Sequence, residues 1–132
     1  MKARPRILLA DDHPALLAET ADLLARDHEV VASVSNGLEL LEVARRLDPD
    51  LIVLDNSMPG LDGFEAARRL KQAGCRSKLV FLTVWEDADF AREAMALGAA
   101  AYVVKSRLAS ELPTVIAETL AEHPFISPHI TL

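Results

Sequence analysis

Leu51-Ile52-Val53-Leu54-Asp55-Asn56-Ser57-Met58-Pro59-Gly60 is the stretch whose reading decides the fold. Four apolar residues end abruptly on a carboxylate, and a loop with Pro59, Gly60 and Gly63 follows. A short apolar run bounded by turn signals reads as a buried strand. Similar runs lie on both sides of it. Upstream are Arg6–Ala10 and Val30–Val34; downstream are Lys78–Leu82, ending near Thr83, and Ala100–Val104, ending at Lys105. Helical spacing fills the gaps. Pro14–Arg26 carries Leu17, Ala21 and Leu24, with Pro14 suited to a first helical position, where its missing N–H has no cost. Asn36-Gly37 reads as a turn, Leu38, Leu41, Ala44 and Leu47 mark a second helix, and Asp48-Pro49 ends it. A third helix is expected from Phe64 to Ala73, and a fourth over Asp87–Leu97 with Gly98 as its stop. The fifth carries Leu108, Leu112, Val115, Ile116 and Leu120, and Pro124 and Pro128 punctuate a tail with little helical character. Five strand–helix units imply parallel strands with helices on both faces, and right-handed crossovers make the sheet doubly wound.

A chain of 132 residues, 51% hydrophobic and 26% charged, suits one globular domain. No apolar run approaches the ~18 residues that span a membrane. The basic start, Met1 to Arg6, is followed by too short an apolar segment for a signal peptide. The expectation is a cytoplasmic protein without membrane contact. Cys75 is the single cysteine, so no internal disulfide forms, and it reads as an incidental loop thiol. The net charge of −6 speaks against nucleic-acid binding by this domain and is compatible with a carboxylate cluster around a divalent cation.

In open α/β sheets, ligands bind beyond the carboxyl ends of the strands. The first strand ends in Asp11-Asp12, the third in Asp55, the fourth in Thr83 and the fifth in Lys105. Taken singly, these are a turn or helix cap, a strand-end acid, a structural threonine and a solvated lysine. Together they converge on one edge. Crowded carboxylates need a compensating cation, and oxygen-only ligands favour a hard ion such as Mg²⁺. Lys105 adds a positive charge and Thr83 a hydrogen-bond donor. The set suits a phosphoryl group on a carboxylate nucleophile.

The runs Ile7 to His13, Leu54 to Gly63, Leu82-Thr83 and Gly98 to Lys105 resemble the response-regulator receiver family of two-component signalling. The resemblance extends from about Arg6 to about Glu122. It implies a flavodoxin-like (βα)5 three-layer sandwich with strand order 2-1-3-4-5, an order taken from the family and not read from this sequence. It implies a receiver domain over residues 1–123 and, over 124–132, a tail or the start of a linker. In the implied mechanism Asp55 accepts a phosphoryl group from a sensor histidine kinase, a phosphotransfer protein or a small phosphodonor. Asp12, Asp55 and the Ser57 backbone carbonyl ligate Mg²⁺, and Asp11 acts largely through a water. Lys105 pairs with the phosphoryl oxygens and Thr83 hydrogen-bonds to one of them. Tyr102 rotates on phosphorylation; read without the family, it is an ordinary half-exposed strand aromatic. The output surface is the fourth helix, fifth strand and fifth helix, a face that also suits a homodimer. Beyond this chemistry at Asp55, no enzymatic activity is expected.

Three positions depart from the family pattern. Asn56 stands where an aliphatic residue is usual, which bears on packing or dephosphorylation. Val84 follows Thr83 where a small residue is common, which bears on access to Asp55. Ser106 follows Lys105 in place of a common proline. The Thr-Val and Lys-Ser pairs resemble the NarL/FixJ class, whose members usually carry a C-terminal helix-turn-helix, and Pro124 to Pro128 resembles that class's entry to its linker. DNA would be reached only through such a domain, and transcription would be the output. Trp85 reads either as the rim of the site or as a packing residue, and His13 as a loop or cap residue. His28, His123 and His129 show no ligand spacing. Three rivals stand beside this reading. An aspartyl-phosphate enzyme needs a substrate cap that no insertion supplies. A nucleotide or flavin module needs a glycine-rich first turn, and Ala10 to Pro14 has no glycine. A receiver-like interaction module that takes no phosphate is the third.

Overall fold

The structure is a computed structural model and describes residues 4–122 and 125–126. The proline pair Pro124 and Pro128, His123, His129 and the boundary at 123/124 lie outside the described residues. Along the chain run β1 (Arg6–Ala10), α1 (Pro14–Leu24), β2 (Glu29–Val34), α2 (Gly37–Leu47), β3 (Leu51–Leu54) and α3 (Gly63–Gln72). There follow β4 (Lys78–Thr83), α4 (Ala88–Ala96), β5 (Ala101–Val104), a 3-10 turn (Lys105–Arg107), α5 (Leu108–Leu120) and β6 (Phe125–Ile126).

Capping chemistry sets several boundaries. Asn36 is the N-cap of α2 rather than part of a free turn, because its side chain accepts the Glu39 N–H at 2.8 Å. Asp62 caps α3 through the Glu65 N–H at 2.8 Å. Asp87, expected inside the fourth helix, stands just before it and accepts the Asp89 N–H at 2.7 Å. α1 stops two residues before Arg26, where the Asp27 and His28 N–H groups both turn back to the Leu24 carbonyl. Gly98 ends the α4 segment with φ +92, a conformation L side chains rarely adopt.

The sheet order is β2-β1-β3-β4-β5-β6 with every pair parallel, so the expected order 2-1-3-4-5 is present and extended by one strand. β6 pairs Phe125 with Ala101 and Ile126 with Tyr102. Two residues are too few to leave a periodic signal, so the sequence did not reveal this strand.

Alternate residues of each central strand enter opposite layers. Leu8, Ile52, Leu54, Phe81 and Tyr102 pack with Leu40, Ala66, Leu70 and Ala94 from α2, α3 and α4. Ile7, Leu9, Val53, Val80, Leu82 and Val103 pack with Leu24, Leu112, Val115 and Ile116 from α1 and α5. Burial on both faces explains why β3, β4 and β5 read as unbroken apolar runs.

The loop after β3 is held by α3. Gly63, its first residue, donates its N–H to the Asn56 carbonyl at 3.0 Å. A Cβ at Gly63 would collide with the Asp55 carbonyl and stand 2.6 Å from Asn56 Cα. Helix propensity would favour alanine there by about 1 kcal/mol. Overpacking against backbone outweighs this, so Gly63→Ala is expected to destabilise the domain by about 1–3 kcal/mol in urea denaturation.

Candidate functional site

The backbone brings the strand ends together before any side chain acts. Asp55 donates its N–H to the Ala10 carbonyl at 2.9 Å, and Asp11 donates its N–H to the Val34 carbonyl at 3.0 Å. Asp11 and Asp55 are buried, at 5% and 3% exposure, whereas Asp12 is exposed. The Lys105 ammonium bridges the two buried acids, 2.7 Å from Asp11 Oδ2 and 3.0 Å from Asp55 Oδ2. Its own side chain is only 7% exposed. The backbone N–H of Ser57 donates to Asp55 Oδ1 at 3.1 Å.

His13 occupies the N-cap position of α1, yet its side chain makes no capping bond. Its Nδ1 instead lies 3.0 Å from Asp11 Oδ1, 3.1 Å from Asp12 Oδ1 and 4.0 Å from Asp55 Oδ2. One ligand atom from each of Asp11, Asp12, His13 and Asp55 falls within a 4.8 Å span. Three carboxylates and one imidazole make a mainly oxygen donor set, which fits a hard divalent cation. Burial holds the Asp55 carboxyl above its ordinary value of 3.8; the Lys105 ammonium and the Ser57 N–H oppose the rise, and the Asp11 charge adds to it.

Thr83 and Tyr102 form a second layer beside this cluster. Thr83 is fully buried at the end of β4 and donates its hydroxyl to Asn56 Oδ1 at 2.8 Å. Its oxygen accepts the Trp85 N–H at 3.2 Å. Tyr102 is not half-exposed: its ring is wholly buried and its hydroxyl donates to the Trp85 carbonyl at 2.7 Å. Burial pushes the phenol up to about 12, eased by the neighbouring Thr83 hydroxyl and increased by the Asp87 charge. The Trp85 ring, 49% exposed, stacks on Phe90 at 5.7 Å; Phe90 stacks on Phe64 at 5.9 Å, and Phe64 meets the core residue Phe81 at 5.2 Å. Val84 turns outward, 60% exposed.

Lys105 thus touches Asp11 and Asp55, Asp12 joins them through His13, and Ser57 reaches Asp55 through its N–H. Thr83 is joined to the acid cluster through the residue next to Asp55. Two participants were not assigned by sequence. His13 enters the acid cluster, and its position beside the acid pair was the available signal. Asn56 binds Thr83 across 27 residues of sequence, and its polarity after an apolar strand was the sole hint.

A family model described as the response regulator receiver domain matches residues 7–117. The response regulator GacA of Pseudomonas aeruginosa is 34% identical over 127 residues, covering 95% of this chain and 59% of GacA. The nitrate/nitrite response regulator protein NarL of Escherichia coli K12 is likewise 34% identical over 127 residues, with coverage of 95% and 59%. This chain therefore spans about three fifths of the length of these curated relatives. A crystal structure of a LuxR-family two-component response regulator from Aurantimonas sp. SI85-9A1 superposes with a TM-score of 0.92 at 33% identity, covering 97% of this chain and 93% of that one. A likeness that runs from the first strand into the fifth helix, in sequence and in backbone, assigns the chain to the family of response regulator receiver domains.

Proposed function

We propose that the domain is a signalling switch in which Asp55 accepts a phosphoryl group from a sensor histidine kinase, a phosphotransfer protein or a small phosphodonor. The observation that supports this most directly is the Lys105 ammonium bridging Asp11 and Asp55 beside a compact, mainly oxygen donor set. A carboxylate oxygen of Asp55 forms the new bond to phosphorus. The bond from phosphorus to the donor nitrogen or oxygen breaks, and its electron pair leaves with the donor. Lys105 shifts from neutralising two carboxylates to pairing with phosphoryl oxygens, and Thr83 donates a hydrogen bond to one of them. Asp12, Asp55 and the Ser57 carbonyl, with Asp11 through water, would hold Mg²⁺. The ion would neutralise charge on the transferring group.

Phosphorylation adds about −1.5 to −2 charges at Asp55. Recruiting Thr83 to that group biases a two-state equilibrium of the surface formed by α4, β5 and α5, with Tyr102 moving as the β4–α4 segment moves. The partner classes are a kinase on the input side and, through the α4–β5–α5 face, a second copy of the domain. In this proposal residues 1–123 form the receiver and 124–132 lead toward an output domain in the cytoplasm, through which DNA and transcription are reached.

Acetyl phosphate with Mg²⁺ should give one acid-stable, base-labile phosphoryl adduct, read by intact mass. An adduct that persists in Asp55→Ala would remove Asp55 as the acceptor. Trp85 is the single tryptophan, so its fluorescence should titrate with Mg²⁺, and Asp12→Ala should weaken that titration. An identical curve for the variant would count against Asp12 as a ligand.

The raised Asp55 pKa also sets a pH dependence for the metal-free domain. At low pH both folded and unfolded states are protonated and Asp55 costs nothing. As pH rises through 3.8, the unfolded chain loses its proton first, so the stability contribution falls until the higher folded pKa is passed. Asp55→Asn should therefore raise the melting temperature without metal, by a margin that grows as pH rises above 3.8 and levels off once the folded pKa is passed. Mg²⁺ should stabilise the parent and not this variant. A margin that shrinks as pH rises would refute the argument.

A further inference from the structure

The Thr83 hydroxyl has one proton, and Asn56 already holds it. The acceptor is Asn56 Oδ1 at 2.8 Å, with Thr83 fully buried and Asn56 7% exposed. The same hydroxyl oxygen accepts the Trp85 N–H, and the Trp85 carbonyl accepts the Tyr102 hydroxyl. A hydrogen-bonded line therefore runs from the residue after Asp55, through the end of β4, to β5.

A hydroxyl donates a single hydrogen bond. Thr83 cannot serve Asn56 and a phosphoryl oxygen on Asp55 at the same time. We propose that Asn56 is a positioning residue that competes with the phosphoryl group for the Thr83 hydroxyl, and so sets how strongly phosphorylation pulls the β4–α4 segment. This rests on the reading of Asp55 as acceptor and of Thr83 as donor to its phosphoryl group. When Thr83 turns to the phosphoryl group, the Asn56 amide oxygen loses its partner in a site that water barely reaches. A buried acceptor left without a donor carries a desolvation penalty, whereas an apolar side chain in the same place carries none. Asn56 thus favours the unphosphorylated arrangement, and Gly63 holds its backbone in place by donating its N–H to the Asn56 carbonyl.

Beryllium fluoride with Mg²⁺ serves as a stable phosphoryl mimic, and fluorine NMR of the bound species reads occupancy independently of Trp85. Asn56→Leu should lower the half-saturating beryllium fluoride concentration roughly two- to tenfold, the range that one net hydrogen bond represents. In a Thr83→Val background the same substitution should leave the midpoint unchanged, because no hydroxyl remains to contest. An equal shift in both backgrounds, or no shift in the parent, would overturn the proposal and reduce Asn56 to a packing residue. Should circular dichroism show Asn56→Leu unfolded, the unmodified domain decides. Its Asn56 side-chain amide and Trp85 backbone amide resonances should move together on saturation, and a stationary Asn56 amide overturns the proposal. A parent that binds no beryllium fluoride and forms no adduct with acetyl phosphate instead defeats the acceptor reading itself.

Discussion

Two buried carboxylates facing one another is the constraint around which this domain is arranged. Asp11 and Asp55 are both almost without solvent, and the Asp11 charge disfavours that of Asp55. Lys105 relieves the conflict by lying against both, delivered by the strand after the next one in the sheet. That placement depends on β1, β3, β4 and β5 being adjacent, parallel and in register, which in turn depends on two apolar layers burying both faces of each strand. Loss of register at any of these strands would move an acid or the ammonium away from its partner. The site is therefore a readout of the whole core and not of one loop.

The link from acid cluster to surface is short because the hydrogen-bonding residues are neighbours of the acids. Asn56 follows Asp55, Thr83 ends the adjacent strand, and Tyr102 stands one strand further. The Trp85 backbone joins Thr83 to Tyr102, while its ring joins the exposed face to Phe90, Phe64 and Phe81. Polar and aromatic connections thus meet at one residue of the β4–α4 segment.

Much of this was legible in the order of residues. Strand ends are visible because apolar runs stop on Asp11, Asp55, Thr83 and Lys105, and parallel topology fixes which end of the sheet they share. Helix limits were less legible, since Asn36 and Asp87 act as caps through side-chain bonds to the backbone, which spacing does not encode. β6 has too few residues to signal itself. The Asn56–Thr83 bond and the turn of His13 toward the acids depend on tertiary proximity. Tyr102 read alone suggested a half-exposed strand position, yet layers on both sides bury it completely.

β6 bears on how the protein behaves at high concentration. Parallel sheets end in two margins of unpaired backbone, and such margins invite other chains to add on. Here the β5 margin is paired at Ala101 and Tyr102, and the β2 margin begins with the exposed, charged Glu29. Among the described residues, β6 covers part of the β5 margin and Glu29 sets a charge at the start of the β2 margin, and both work against the addition of another chain.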